Sequence, residues 1–186
     1  MVATVLTILS ILLVLWAATK RGDGQAPGVT TAQSAAPAEG TPPDLSTMTP
    51  REQFTRLNDR IMNAAQTGDS GTVTRFWPMA SQAYLNLLPG DLDVDARYHM
   101  ATLHLLVGGT AEALALADTM MTESPDNLLA WYLRAVVAEF QLDAAGQRAA
   151  DEAFLTHYDA EIGSGRQEYL DHADLLADFK SRATNR

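Results

Sequence analysis

The chain contains no cysteine. That absence excludes disulfides, thiolate metal sites, thioether haem attachment and a lipidated N-terminal cysteine, and it erases any mark of the redox compartment. Any membrane attachment must therefore come from the polypeptide itself. Catalytic signatures are missing too: there is no G-x-S-x-G, P-loop, dinucleotide fingerprint or H-E-x-x-H run. With no nucleophile–base pair and no metal cluster legible, the sequence reads as a non-enzyme without cofactor. Positive charge is scarce. From Pro50 onward, 20 Asp+Glu stand against 11 Lys+Arg, a net charge of −9. Such a surface excludes nucleic acid and anionic lipid headgroups as its main partner and suits polar or basic protein surfaces. No stretch alternates apolar and polar residues with the period of a strand.

What is present begins with an uncharged, mostly apolar run from Val2 to Thr19. As a helix it spans about 27 Å, roughly one hydrocarbon core. Trp16 sits near its end, where an interfacial aromatic belongs, and Lys20 and Arg21 stop it. The run lacks a basic leader and a good small-residue cleavage site, so it reads as a retained single-span anchor over residues 1–21 rather than a cleaved signal peptide. It also lacks a small-xxx-small seam, so self-association through the anchor is not signalled. Lys20 and Arg21 favour a cytoplasmic domain, whereas the following segment has the composition of an extracytoplasmic tether. The reading adopted is a periplasmic domain on a bacterial inner or photosynthetic membrane. Residues 22–49, rich in Pro, Ala, Gly and Thr and without an aromatic residue, form a linker that cannot fold alone.

From residue 50 to 186 the pattern is all-α. Thr49-Pro50-Arg51-Glu52 is a capping box with proline at the first helical position. Phe54, Leu57 and Ile61 follow at helical spacing until Gly68 ends the helix. A second helix runs from about Ser70 to Asn86, and Pro78 is expected to kink or split it. Asp93 or Asp95 caps a third, which stops at Gly108-Gly109. Thr110 caps a fourth. Ser124-Pro125-Asp126-Asn127 stops the chain and caps a fifth, and Asp143 opens a sixth. After Gly163-Ser164-Gly165, Ser164 and Gln167 form a second capping box for a seventh helix carrying Tyr169, Leu170, Leu176 and Phe179. The connections of two to six residues imply antiparallel neighbours.

The helices recur in pairs. Gly108 and Leu142-Asp143 occupy the same turn 34 residues apart, and Ala101, Gly108, Ala113, Ala117 and Pro125 follow a spacing of small residues and proline. This stretch resembles a tetratricopeptide repeat (TPR). The next unit resembles it at Asn127, Trp131 and Ala135, and the first only loosely; the likeness covers about 100 residues. It implies helical hairpins stacked so that Ala101 and Ala113 face each other, with the last helix as a solvating cap. It also implies a concave face lined by Asn58 and Met62, Tyr98 and Thr102, and Tyr132 and Glu139, which are the partner-binding candidates; half-buried packing is the alternative role of Tyr98 and Tyr132. As a whole, the anchored acidic chain resembles an accessory subunit of a bacterial photosynthetic reaction centre–light-harvesting complex. The apolar run carries no histidine to ligate a pigment, so such a subunit would not be a pigment carrier.

The remaining constellations read as structural. His99 and His104 do not share a helix face. Glu168 and His172 form a local i,i+4 pair. Asp91, Asp93 and Asp95 alternate like a calcium loop, but Ala96 and Thr102 stand where its glycine and glutamate belong, so that site is rejected. The expectation is a scaffold subunit that binds integral and extrinsic subunits of a membrane-protein complex and touches lipid through its anchor. A tethered assembly or quality-control chaperone of the envelope is the alternative. A ligand or metal domain around His99, His157 or His172 is the least favoured reading.

Overall fold

The computed structural model describes residues 45–186. Among them the fold is all-α and repeat-like, with eight α-helices and no strand. These are α1 (Pro50–Gln66), α2 (Ser70–Leu85), α3 (Val94–Leu106), α4 (Thr110–Glu123), α5 (Leu128–Phe140), α6 (Ala144–Gly163), α7 (Gln167–Asp171) and α8 (Ala173–Thr184), with a 3-10 turn at Pro89–Asp91. Helices α1 and α2, α3 and α4, and α5 and α6 pack as hairpins, and α1, α3 and α5 lie beside one another. No helix of the described residues is long and apolar enough to cross a membrane. The expected anchor at residues 1–21, with Trp16, Lys20 and Arg21, lies outside the described residues, as does the linker up to residue 44. Its last residues dock: Gln53 Nε2 on α1 donates to the carbonyls of Leu45 and Met48.

The three hairpins share one turn. In each, the second residue after the first helix adopts positive φ: Gly68 at 74°, Gly108 at 83° and Leu142 at 58°. The next amide then donates back across the helix end, Asp69 to Ala64, Gly109 to His104 and Asp143 to Ala138, at 2.8–2.9 Å. This closes the exposed carbonyls of the last turn and reverses the chain. Only the third turn uses a residue with a Cβ.

The local start signals hold with three corrections. Thr49 forms the expected box with Glu52; Asp93, Asn127 and Asp143 cap α3, α5 and α6 with their side chains, and Asp69, which no start signal had singled out, caps α2. Gly109, rather than Thr110, is the N-cap of α4, because the preceding turn carries the chain straight into the helix. Ser164 ends α6, its hydroxyl donating to the Glu161 carbonyl, so it does not cap the following helix. What reads as a seventh helix is two helices broken at His172, and Leu170 faces solvent. Pro78 does not split α2. It lies on the exposed face, where water can satisfy the carbonyl its ring leaves unpaired.

Two cores hold the stack. Phe54, Leu57 and Ile61 of α1 meet Phe76, Ala80 and Ala83 of α2 and Met100 and Leu103 of α3. A larger core joins α3 to α8 and contains Ala101, Ala113 and Ala117, all without exposed surface. These alanines let helix backbones approach closely, as the repeat spacing requires. A longer side chain there would separate the helices or strain its rotamer.

Candidate functional site

The inner faces of α3 and α5 follow from helical spacing. Asp95, Tyr98, Thr102 and Leu105 form one stripe on α3, and Leu129, Tyr132 and Val136 form one on α5. A repeat array of this kind would leave such stripes open to a ligand. Here they are covered. Tyr98, Thr102, Leu129, Tyr132 and Val136 each retain 3% or less of their surface.

The cover is the chain's own C-terminal pair. Helix α8 packs on α6 and α5. Its Phe179 stands edge-on to Tyr132 at 5.0 Å and to Phe154 of α6 at 4.7 Å between ring centroids. Such T-shaped pairs set the edge of one ring against the face of the next. Further along, Arg186 pairs with Glu139 of α5 and Asp151 of α6. Helix α7 is pinned by Tyr169, whose hydroxyl donates to Glu161 and accepts the Leu128 amide at 3.3 Å. That amide is one of the donors a helix N-terminus leaves unsatisfied; the Asn127 side chain takes another, from Ala130.

At the break between α7 and α8, His172 turns inward onto α3. Its ring lies 4.6 Å from Tyr98, edge to face, and 5.3 Å from His99. Its Nε2 is 3.0 Å from Asp95 Oδ1, and His99 Nε2 is 3.3 Å from the same oxygen. Asp95 Oδ2 accepts from Arg51 of α1 at 2.8 Å, and Arg51 also reaches Asp93 Oδ1 and the Asp91 carbonyl. One carboxylate thus joins three helices. Burial alone would raise the Asp95 carboxyl. The hydrogen bonds from His172 and then His99, with the charges of those rings, outweigh burial and hold it well below the ordinary 3.8. His172 is 3% exposed and its Nδ1 has no hydrogen-bond partner. Burial, with the nearby Tyr132 and the Asp95 charge, pushes the Tyr98 phenol well above its usual value, so it stays protonated.

The six partner-binding candidates fall differently from an open lining. Asn58, Tyr98, Thr102 and Tyr132 are buried, while Met62 and Glu139 are half-buried, the latter holding Arg186 and Gln147. Tyr98 and Tyr132 are packing residues. His172 does not pair with Glu168, which lies 3.9 Å from Arg166 instead; the break after α7 swings His172 away from its own helix and onto Asp95. His157 stands apart, 3.5 Å from Asp126. His104 packs edge-on against Trp77 at 4.9 Å. Among the described residues, Asp95, His99 and His172 bring one potential ligand atom each within 4.8 Å of one another. Sequence reasoning named His99 and His172 separately in its least favoured reading, a metal or ligand domain, but did not bring them together or include Asp95. The i,i+4 spacing of Asp95 and His99 was the only local trace of the group, because His172 arrives from 77 residues away. The chain matches no known family model, and comparison with curated proteins and with solved structures finds no similar one.

Proposed function

We propose that this chain is a non-enzymatic, membrane-anchored scaffold subunit built on a TPR-like array, which binds integral and extrinsic subunits of a larger membrane complex. The covered inner face is the observation that supports this reading. A chaperone that captures transient clients needs an open groove, and here Phe179 and His172 occupy the stripes that would line it. Contact with a partner then falls to the outer surface. Leu85 ends α2, Leu88 lies in the connection to α3, and they are 72% and 60% exposed. Apolar side chains so placed add area to an interface and gain nothing in water. The acidic surface adds electrostatic complementarity to basic partner regions. An N-terminal anchor would raise local concentration, so a modest outer interface suffices. A reaction centre–antenna complex is the specific assembly the whole-chain resemblance suggests.

Solubilising native membranes in mild detergent and separating complexes by size tests the proposal. The scaffold reading expects one large complex carrying the chain at constant ratio, with pigment-protein company if it is the photosynthetic one. Replacing Leu85 and Leu88 together by Asp should reduce that ratio without changing the melting temperature. A spread of substoichiometric clients would overturn the scaffold in favour of a chaperone.

A further inference from the structure

We propose that Asp95, His99 and His172 form a binding site for one divalent transition-metal ion of the zinc class, which fastens the C-terminal helices to the second hairpin. The inference rests on the geometry of these residues and is independent of the scaffold reading. Two imidazoles and one carboxylate are a donor set that transition metals favour; calcium and magnesium take oxygen almost exclusively. The two separations from the Asp95 oxygen fit as well. Ligands about 2.1 Å from an ion stand about 3.4 Å apart at tetrahedral angles and about 3.0 Å apart at right angles. Asp95 Oδ1 lies 3.3 Å from His99 Nε2 and 3.0 Å from His172 Nε2.

The surroundings prepare these atoms to act as ligands. Arg51 holds Asp95 Oδ2 at 2.8 Å, which leaves Oδ1 to face the rings as a single-oxygen ligand. The Arg51 charge is in turn shared with Asp93 at 3.0 Å. His172 is buried, and its ring is seated by Tyr98 and His99. Its Nδ1 meets no protein donor or acceptor, so without an ion the one hydrogen bond of the ring runs from Nε2 to Asp95, and an ion takes the place of that proton. In the ion-bound form the ring proton resides on Nδ1 and Nε2 presents its lone pair. The side chains of Asp95 and His99 are 25% and 29% exposed, which gives the ion an entry and lets water complete its coordination.

The consequence is mechanical. Two ligands belong to α3 and the third to the junction of α7 and α8, 73 residues after His99. An ion bound by all three stabilises only the arrangement in which the C-terminal pair covers the inner face.

The test uses the full chain, purified in mild detergent and stripped with a chelator. Zn²⁺ should bind at one ion per chain and raise the melting temperature, and Mg²⁺ should do neither. Co²⁺ should bind with visible d–d absorption that Zn²⁺ abolishes. Asp95→Asn and His99→Ala should each weaken Zn²⁺ binding by about 10- to 100-fold or more, the scale on which loss of a supporting group is felt at metal sites. His99 is partly exposed, so its variant folds even where a change at buried His172 does not. His157→Ala should leave binding unchanged. Absence of stoichiometric Zn²⁺ binding overturns the proposal, as does binding that survives both Asp95→Asn and His99→Ala or that depends on His157.

Discussion

Leu142 occupies a position built for glycine. It is the third member of the series Gly68, Gly108, Leu142, and it is held at φ 58° by the same returning amide bond as its glycine counterparts. For an L-residue with a Cβ the left-handed region costs about 1–2 kcal/mol. The residue is 88% exposed and gains no compensating burial. Leu142→Gly removes the strain but adds about 0.4–1 kcal/mol of unfolded-chain freedom. The net is a gain of about 0.5–1 kcal/mol, or about 2–3 °C in melting temperature for a domain of this size. Gly108→Ala is the converse. A Cβ there meets nothing within 4 Å, so its cost is conformational alone, and a loss of about 1 kcal/mol is expected. Thermal melts of both variants, followed by circular dichroism, check the pair of signs. Destabilisation by Leu142→Gly would refute the claim that the three hairpins share one turn under one constraint.

Phe179→Ala should cost about 3–5 kcal/mol, because it empties a fully buried ring site between Tyr132 and Phe154; the melting temperature reads this directly. Tyr169→Phe should cost about 1–3 kcal/mol, since it leaves Glu161 and the Leu128 amide without their shared partner; the same melts apply. Burial lowers the His104 pKa from 6.5, outweighing the nearby Glu112 charge. The neutral ring is thus the folded form's preference, so its stabilising effect is full above pH 6.5 and is lost as pH falls through the lower folded value. Wild type should therefore lose more melting temperature than His104→Gln on acidification below pH 6.5, with quenching of Trp77, whose ring His104 touches.

The parts of this fold legible in the sequence are those encoded locally. Capping residues announced themselves within four positions: Thr49 with Glu52, then Asp93, Asn127 and Asp143. The alanine spacing from Ala101 to Ala117 identified where helices approach closely. Signals misread were those with two local solutions. Ser164 satisfies a carbonyl behind it rather than an amide ahead, and Thr110 follows a turn that already starts α4. The closed inner face was invisible, because Tyr98 and Tyr132 have the same helical position whether a partner or the chain's own Phe179 and His172 covers them. His99 and His172 could be named singly as candidate ligands, but their meeting at Asp95 could not be read, for the same reason: long-range closure, not spacing, brings the third residue in.

Hydrogen exchange of the full chain in detergent, read by mass spectrometry, tests most directly whether the C-terminal helices close the inner face. The account predicts that amides of α8 exchange as slowly as those of α5, because both are released only when the shared core around Tyr132, Phe154 and Phe179 opens. Fast exchange across α8 while α3 and α5 remain protected would contradict it, and would return the groove to an outside partner.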